Sequence, residues 1–126
     1  MGHLGVLPQS AKNFRYKGKK ISERIKILND AKALEAAGAF SIVLECVENT
    51  LSKKITESIK ILTIGIGASS NCDGQVLVTD DLIGLNSINV RFVKQFVNVK
   101  KLINKAVFNY KNEVKKIKFP AKKHSY

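Results

Sequence analysis

Phe40-Ser41-Ile42-Val43-Leu44-Glu45-Cys46 is the stretch on which the fold turns. Its apolar run has strand length and is nearly continuous, the pattern of a strand covered on both faces in a parallel sheet. Just before it, Gly38 stands where a helix C′ glycine belongs. A helical pattern runs back from there through Ala37, Ala36, Leu34, Ala31, Leu28 and Ile25 to Ser22, a good N-cap. On the other side, the spacing of Leu51, Ile55 and Ile59 predicts a helix over about 50–59. Leu62-Thr63-Ile64-Gly65-Ile66-Gly67 reads as a second buried strand ending in glycines. A polar loop, 68–74, leads to a third strand candidate, 75–78, and a short helical piece around 80–85. The stripe Phe92, Phe96, Val99, Ile103, Val107, Tyr110 and Val114 predicts a last long helix over about 90–116. At the start, 3–10 reads as a short loop closed by Pro8, and 13–22 as a basic loop. Alternating helices and strands define an α/β protein with parallel strands. Three strands, each followed by a helix, are about half of a (β/α)8 barrel, which typically needs ~250 residues. No repeat or linker divides the chain, so residues 1–126 are expected to form a single partial barrel domain.

Composition narrows the classes. The hydrophobic fraction is 44% and the charged fraction 25%, both ordinary for a globular chain. No apolar run approaches the ~18–20 residues that span a bilayer, and MGHLGVLPQS lacks the basic and apolar regions of a secretory signal. Cys46 and Cys72 are too few for a disulfide framework, and a reducing, cytoplasmic setting is expected. The formal net charge of +12 raises nucleic-acid binding. However, 19 of the 22 basic residues are Lys and three are Arg (Arg15, Arg24, Arg91), whereas Arg suits bidentate phosphate and base recognition. Abundant Lys, Ile and Asn are also what AT-rich codons encode.

Several residues invite a chemical reading. Glu45 directly follows Ile42-Val43-Leu44, at the C-terminal end of a buried strand, the end that carries active sites in parallel α/β architectures. Partial desolvation there suits a general base; equally, Glu45 could be a solvated residue starting the next helix. Gly65-Ile66-Gly67-Ala68 does not complete G-x-G-x-x-G, because position 70 is Ser, and reads as a tight turn or a substrate-facing loop. His3 reads as a ligand, a hydrogen-bond donor or an exposed terminal residue. Cys46 and Cys72 have no zinc spacing relative to His3 and are expected to be buried thiols. Asp80 and Asp81 could pair on Mg²⁺, but acidic residues at a helix N-terminus explain them more simply.

Eight segments, in order, then carry a specific resemblance: Met1-Gly2-His3-Leu4-Gly5, Pro8-Gln9-Ser10, residues 33–40 (ALEAAGAF), Val43-Leu44-Glu45-Cys46-Val47, Thr63-Ile64-Gly65-Ile66-Gly67-Ala68, residues 72–78 (CDGQVLV), Phe92-Val93-Lys94-Gln95, and Phe119-Pro120-Ala121 with His124-Ser125-Tyr126. Over essentially its whole length the chain resembles the C-terminal half of ketopantoate hydroxymethyltransferase (3-methyl-2-oxobutanoate hydroxymethyltransferase). The resemblance implies a (β/α)8 barrel enzyme of pantothenate synthesis. Such an enzyme moves a hydroxymethyl group from 5,10-methylenetetrahydrofolate to 3-methyl-2-oxobutanoate, giving 2-dehydropantoate (ketopantoate). It implies Glu45 as the proton acceptor, His3 beside the keto acid, and Mg²⁺ as a Lewis acid. It also implies a cytoplasmic homo-oligomer, a decamer, without membrane or specific nucleic-acid partners.

The chain departs from the family pattern as well. The family's metal-binding carboxylates lie in the first half of the barrel, so no metal ligand is assigned in this chain. The loop around Arg15-Tyr16-Lys17-Gly18 is shortened, Ser69 replaces a usual glycine, and Lys122-Lys123 replaces a more acidic ending. These features fit a degraded frame or an internal start at Met1. The isolated chain is expected to be inactive: a remnant, or a subunit completed by a separate N-terminal half. The alternative is a non-catalytic basic half-barrel that binds nucleic acid or another protein chain. Opening a barrel exposes strand edges, with Ile42–Leu44 and Gln75–Val78 expected to lose neighbours or lie near an edge.

Overall fold

A computed structural model describes residues 1–7, 15–87 and 90–126. They form two compact units, Met1–Leu77 and Val78–Tyr126.

The first unit is a four-stranded parallel sheet with helices, in the order β1 (Gly2–Gly5), α1 (Ile21–Ala36), β2 (Ser41–Glu45), α2 (Asn49–Ser58), β3 (Leu62–Ile66) and β4 (Gly74–Gln75). The strands lie side by side in chain order. In register, Gly2 stands beside Ile42, Ile42 beside Thr63, and Ile64 beside Gly74. Side chains alternate across a strand, so Ile42 and Leu44 point to one face of β2 and Val43 and Glu45 to the other. Ile42 and Leu44 pack with Ile27 and Ala31 of α1, Leu51 and Ile55 of α2, and Val47, Ile59 and Cys72. Five of these side chains (Ala31, Ile42, Leu44, Leu51, Ile55) are no more than 1% exposed, which at ~25 cal/mol per Å² of buried apolar area makes this cluster the unit's main stabiliser.

The α/β reading with parallel strands is borne out, with corrections. Residues 3–5, expected within a loop, belong to a strand, Gly2–Gly5; two glycines and few apolar residues hid it. Residues 8–10 of that expected loop, Pro8 among them, lie outside the described residues. Because β1 exists, Ile42–Leu44 has strands on both sides. Helix α1 begins at Ile21, with Lys20 in the N-cap position and no side-chain cap, so Ser22 is not the cap. Ile25 is exposed, and Ile27 takes the expected core place beside Ala31. The C-terminal signal holds: Gly38, at φ +87°, donates to Glu35 O at 2.9 Å and Ala39 donates to Leu34 O at 3.0 Å, the paired bonds of a Schellman turn. Leu51, Ile55 and Ile59 are buried as their spacing predicts. The third strand is two residues long, and Val76 and Val78 are exposed. Among the described residues β4 pairs with β3 alone, so nothing extends the ladder.

The second unit holds a short helix, α3 (Thr79–Leu82), and a long one, α4 (Val99–Lys115), followed by a 3-10 turn at Lys122–His124. The expected 90–116 helix is shorter because Asn98 caps it: its side chain accepts from the Lys101 N–H at 2.8 Å. Phe92 and Phe96 therefore lie outside the helix, and residues 88–89 are not described. Asp80 and Asp81 occupy the first turn of α3, where the helix dipole favours them. Asp81 also accepts from the Asn86 amide at 2.8 Å.

Candidate active site at the C-terminal strand ends

Parallel strands bring all their C-terminal ends to one edge of the sheet. Gly5, Glu45 and Ile66 stand in register there. Glu45 is the last residue of β2 and is 8% exposed, so the solvated helix-start alternative is excluded. His3 stands beside Val43, and alternation puts His3, Val43 and Glu45 on the same face. The His3 Nε2 lies 3.2 Å from Glu45 Oε2 and 3.1 Å from Val6 O. A backbone carbonyl can only accept, so Nε2 carries a hydrogen and can share it between the two oxygens. The sequence singled out His3 and Glu45 separately, and the fold makes them a pair.

The backbone around the carboxylate is closely held. The Val6 N–H donates to Glu45 O at 2.8 Å, and the Cys46 N–H to Ile66 O at 2.8 Å. Gly5 has φ +103°, and a Cβ there would come within 2.0 Å of Glu45 O. Glycine alone lets β1 approach β2 this closely. Cys46 has φ +50°, a left-handed conformation uncommon for a residue with a side chain. Burial, and then the neighbouring Glu45 carboxylate, push its thiol pKa up, so it is a poor nucleophile. Cys46 and Cys72 are both buried and free, as expected.

Gly65 lies within β3, where a Cβ would meet the Gln75 side chain at 2.9 Å and Cys72 Sγ at 3.2 Å. The turn follows at Gly67, φ +61°. Beyond it, Ser69 is buried; its hydroxyl accepts from Asn71, and its carbonyl accepts from the Gln75 amide at 2.8 Å.

Sequence reasoning missed Glu48 and Asp73. Glu48 is the N-cap of α2, accepting from the Thr50 N–H at 3.0 Å, the Leu51 N–H at 2.9 Å, the Thr50 hydroxyl at 2.7 Å and Arg24 NH1 at 2.6 Å. Desolvation pushes its carboxyl up, but the bonds from Thr50, Leu51 and Arg24 outweigh this and lower it to about 2. Glu is an unusual cap, so only the following Asn49-Thr50 could have signalled it. Asp73 accepts from the Thr63 N–H at 2.8 Å and its hydroxyl at 2.9 Å, which hold its carboxyl below its ordinary range. It ties the turn before β4 to the start of β3.

Among the described residues, no three His, Cys, Asp or Glu side chains come together to hold a metal ion. Among the same residues no helix is long and apolar enough to cross a membrane.

The fold is of the parallel α/β class, with a buried carboxylate and an imidazole at the C-terminal edge of the sheet, the edge at which barrel-type enzymes of this class place their active sites. Comparison with known proteins gives the family. The sequence profile described as ketopantoate hydroxymethyltransferase matches residues 1–122, and the chain belongs to that family. It is 66% identical over its full length to the 3-methyl-2-oxobutanoate hydroxymethyltransferase of Pelagibacter ubique, covering 49% of that protein. It is 49% identical to the enzyme of the same name from Carboxydothermus hydrogenoformans, again over the full chain and 47% of the relative. With that of Caldivirga maquilingensis, identity is 50% over 96% of this chain and 47% of the relative. The chain thus spans about half the length of the curated relatives it matches.

Proposed function

We propose that this chain is the C-terminal part of a 3-methyl-2-oxobutanoate hydroxymethyltransferase and carries its proton acceptor, Glu45. The observation that supports this most is the His3–Glu45 pair, 3.2 Å apart at the strand ends, in a chain of this family. The Glu45 carboxylate takes the proton from C3 of 3-methyl-2-oxobutanoate. The carbon left as an enolate forms a bond to the methylene carried by 5,10-methylenetetrahydrofolate. Water supplies the hydroxyl of 2-dehydropantoate, and tetrahydrofolate leaves. His3 holds the carboxylate from one side, through its Nε2–H, and so leaves the other oxygen for the substrate. Mg²⁺, which residues of the other half would hold, would supply charge stabilisation as a Lewis acid. The setting is the cytoplasm and the working form a homo-oligomer, with the barrel completed by an N-terminal half. The chain alone is inactive.

A chimera tests the reading. This chain, fused behind the remaining half of the Pelagibacter relative, should form 2-dehydropantoate from the keto acid, methylenetetrahydrofolate and Mg²⁺, and the isolated chain should not. Glu45→Gln in the chimera should lower kcat by at least about 10²-fold, the low end for a general base, with keto acid binding nearly unchanged. His3→Ala should cost less. A folded chimera without turnover, or a Glu45→Gln chimera that keeps more than about a tenth of the rate, would refute the assignment.

A further inference from the structure

We propose that the Arg24–Glu48 ion pair is a positioning device for Glu45: it holds Lys17 against Cys46 and so fixes the strand end that carries the carboxylate. The inference rests on the reading of Glu45 as the proton acceptor.

It starts from Cys46. A non-glycine residue at φ +50° persists only where its surroundings over-determine it. Its N–H continues the sheet to Ile66, but its carbonyl is held from elsewhere, by the Lys17 N–H at 2.7 Å. Lys17 belongs to the segment before α1 and bridges to Val47 as a single parallel pair. The Lys17 carbonyl in turn accepts from the Glu48 N–H at 2.8 Å. Residue 17 is thus stitched to both sides of the turn that follows Glu45.

The next residue is gripped by side chains. The Gly18 N–H donates to Glu23 Oε2 at 2.8 Å, and its carbonyl accepts from Arg24 NH1 at 3.3 Å. The same Arg24 NH1 donates to Glu48 Oε2 at 2.6 Å, and its NH2 to the Thr50 hydroxyl at 2.9 Å. One guanidinium therefore joins the first turn of α1, the segment at 17–18 and the N-terminus of α2. Charge-assisted, forked bonds of this kind carry geometric specificity. The cap residue argues the same way. Asp or Asn would cap α2 better than Glu. The extra methylene of Glu48 is what lets one oxygen accept from Leu51 and still meet Arg24.

The test uses the full chain and no turnover assay. Glu48→Asp keeps a cap but is too short for Arg24; Arg24→Met keeps the aliphatic stem and removes the fork. Two readouts are followed. The His3 ring resonances report its contact with Glu45; the chain has two His, so His124→Ala assigns them. Alkylation of Cys46 and Cys72, resolved by peptide mass spectrometry, separates local from global opening. Both variants should shift the His3 resonances. Both should also speed Cys46 alkylation about tenfold, as expected for a lost charge-assisted bond, with Cys72 within about twofold of wild type. Three results would overturn the proposal: equal rises at both thiols, Glu48→Asp behaving as wild type, or unmoved His3 resonances. None of them bears on the chimera experiment, which tests Glu45 separately.

Discussion

Helices α2 and α4 are both amphipathic, with opposite outcomes. Helix α2 buries Leu51, Ser52 and Ile55 against the sheet. Helix α4, nearly twice as long, buries none of its residues within the described chain. Its stripe is exposed at Ile103, Val107, Tyr110 and Val114. Periodicity states which face of a helix can be buried, not that the burying surface is present. Most helical stability in proteins comes from packing, and within its own unit α4 is held by local bonds. It has the Asn98 cap, and beyond its end Lys118 N–H donates to Glu113 O at 2.8 Å. The Tyr110 and Phe119 rings meet edge-on with centroids 5.5 Å apart.

Truncating each helix should sharpen this contrast. Leu51→Ala, in the core, should cost about 2–5 kcal/mol, read as a lower urea midpoint. A loss under about 1 kcal/mol would mean the core around α2 is not the main stabiliser. Glu48→Gln should come next, at about 1 kcal/mol near pH 6, the usual worth of a helix cap. The effect has a definite pH window. The Glu48 carboxyl titrates at about 2 in the folded chain against an ordinary 4.5. Its contribution is therefore full above about pH 4.5 and lost as pH falls toward 2. Wild type and Glu48→Gln should converge across that window, while the acid loss due to Asp73 remains in both. A stability gap independent of pH would count against the charged cap. The smallest effect is expected from Val107→Ala on α4, within about 0.5 kcal/mol in the isolated chain. A loss comparable to that of Leu51→Ala would show that α4 is buried in solution and would break the contrast.

What the sequence made legible follows the same division. The strand around Ile42–Leu44, the helix with Leu51, Ile55 and Ile59, and the Gly38 stop were readable because each is a local pattern whose partner lies within the chain. Strand β1 was not, since Gly2 and Gly5 have low strand propensity and form a strand only beside β2. Glu45 was legible by its place after an apolar run. Its partnership with His3 was not, because the two are brought together by sheet register. Arg24 and Glu48 stand far apart in sequence, each in a pattern that has an ordinary explanation, so their pairing appears only in three dimensions. The true start of α4 was hidden because Phe92 and Phe96 continue its period by coincidence, while Asn98 provides the cap.

The order of the strands bears on how the chain is made. Each strand lies beside the one synthesised before it, so no pairing in the described sheet waits for a distant later segment. The pairs also grow closer along the chain, from Gly2 with Ile42, through Ile42 with Thr63, to Ile64 with Gly74. Closing a shorter loop costs less entropy. The βαβ segment from β2 through α2 to β3 therefore closes a shorter loop than β1 does on β2, and bringing β1 to its partner costs the most closure entropy in the sheet. On that account, the His3–Glu45 contact sits on the strand pair whose closure costs the most entropy.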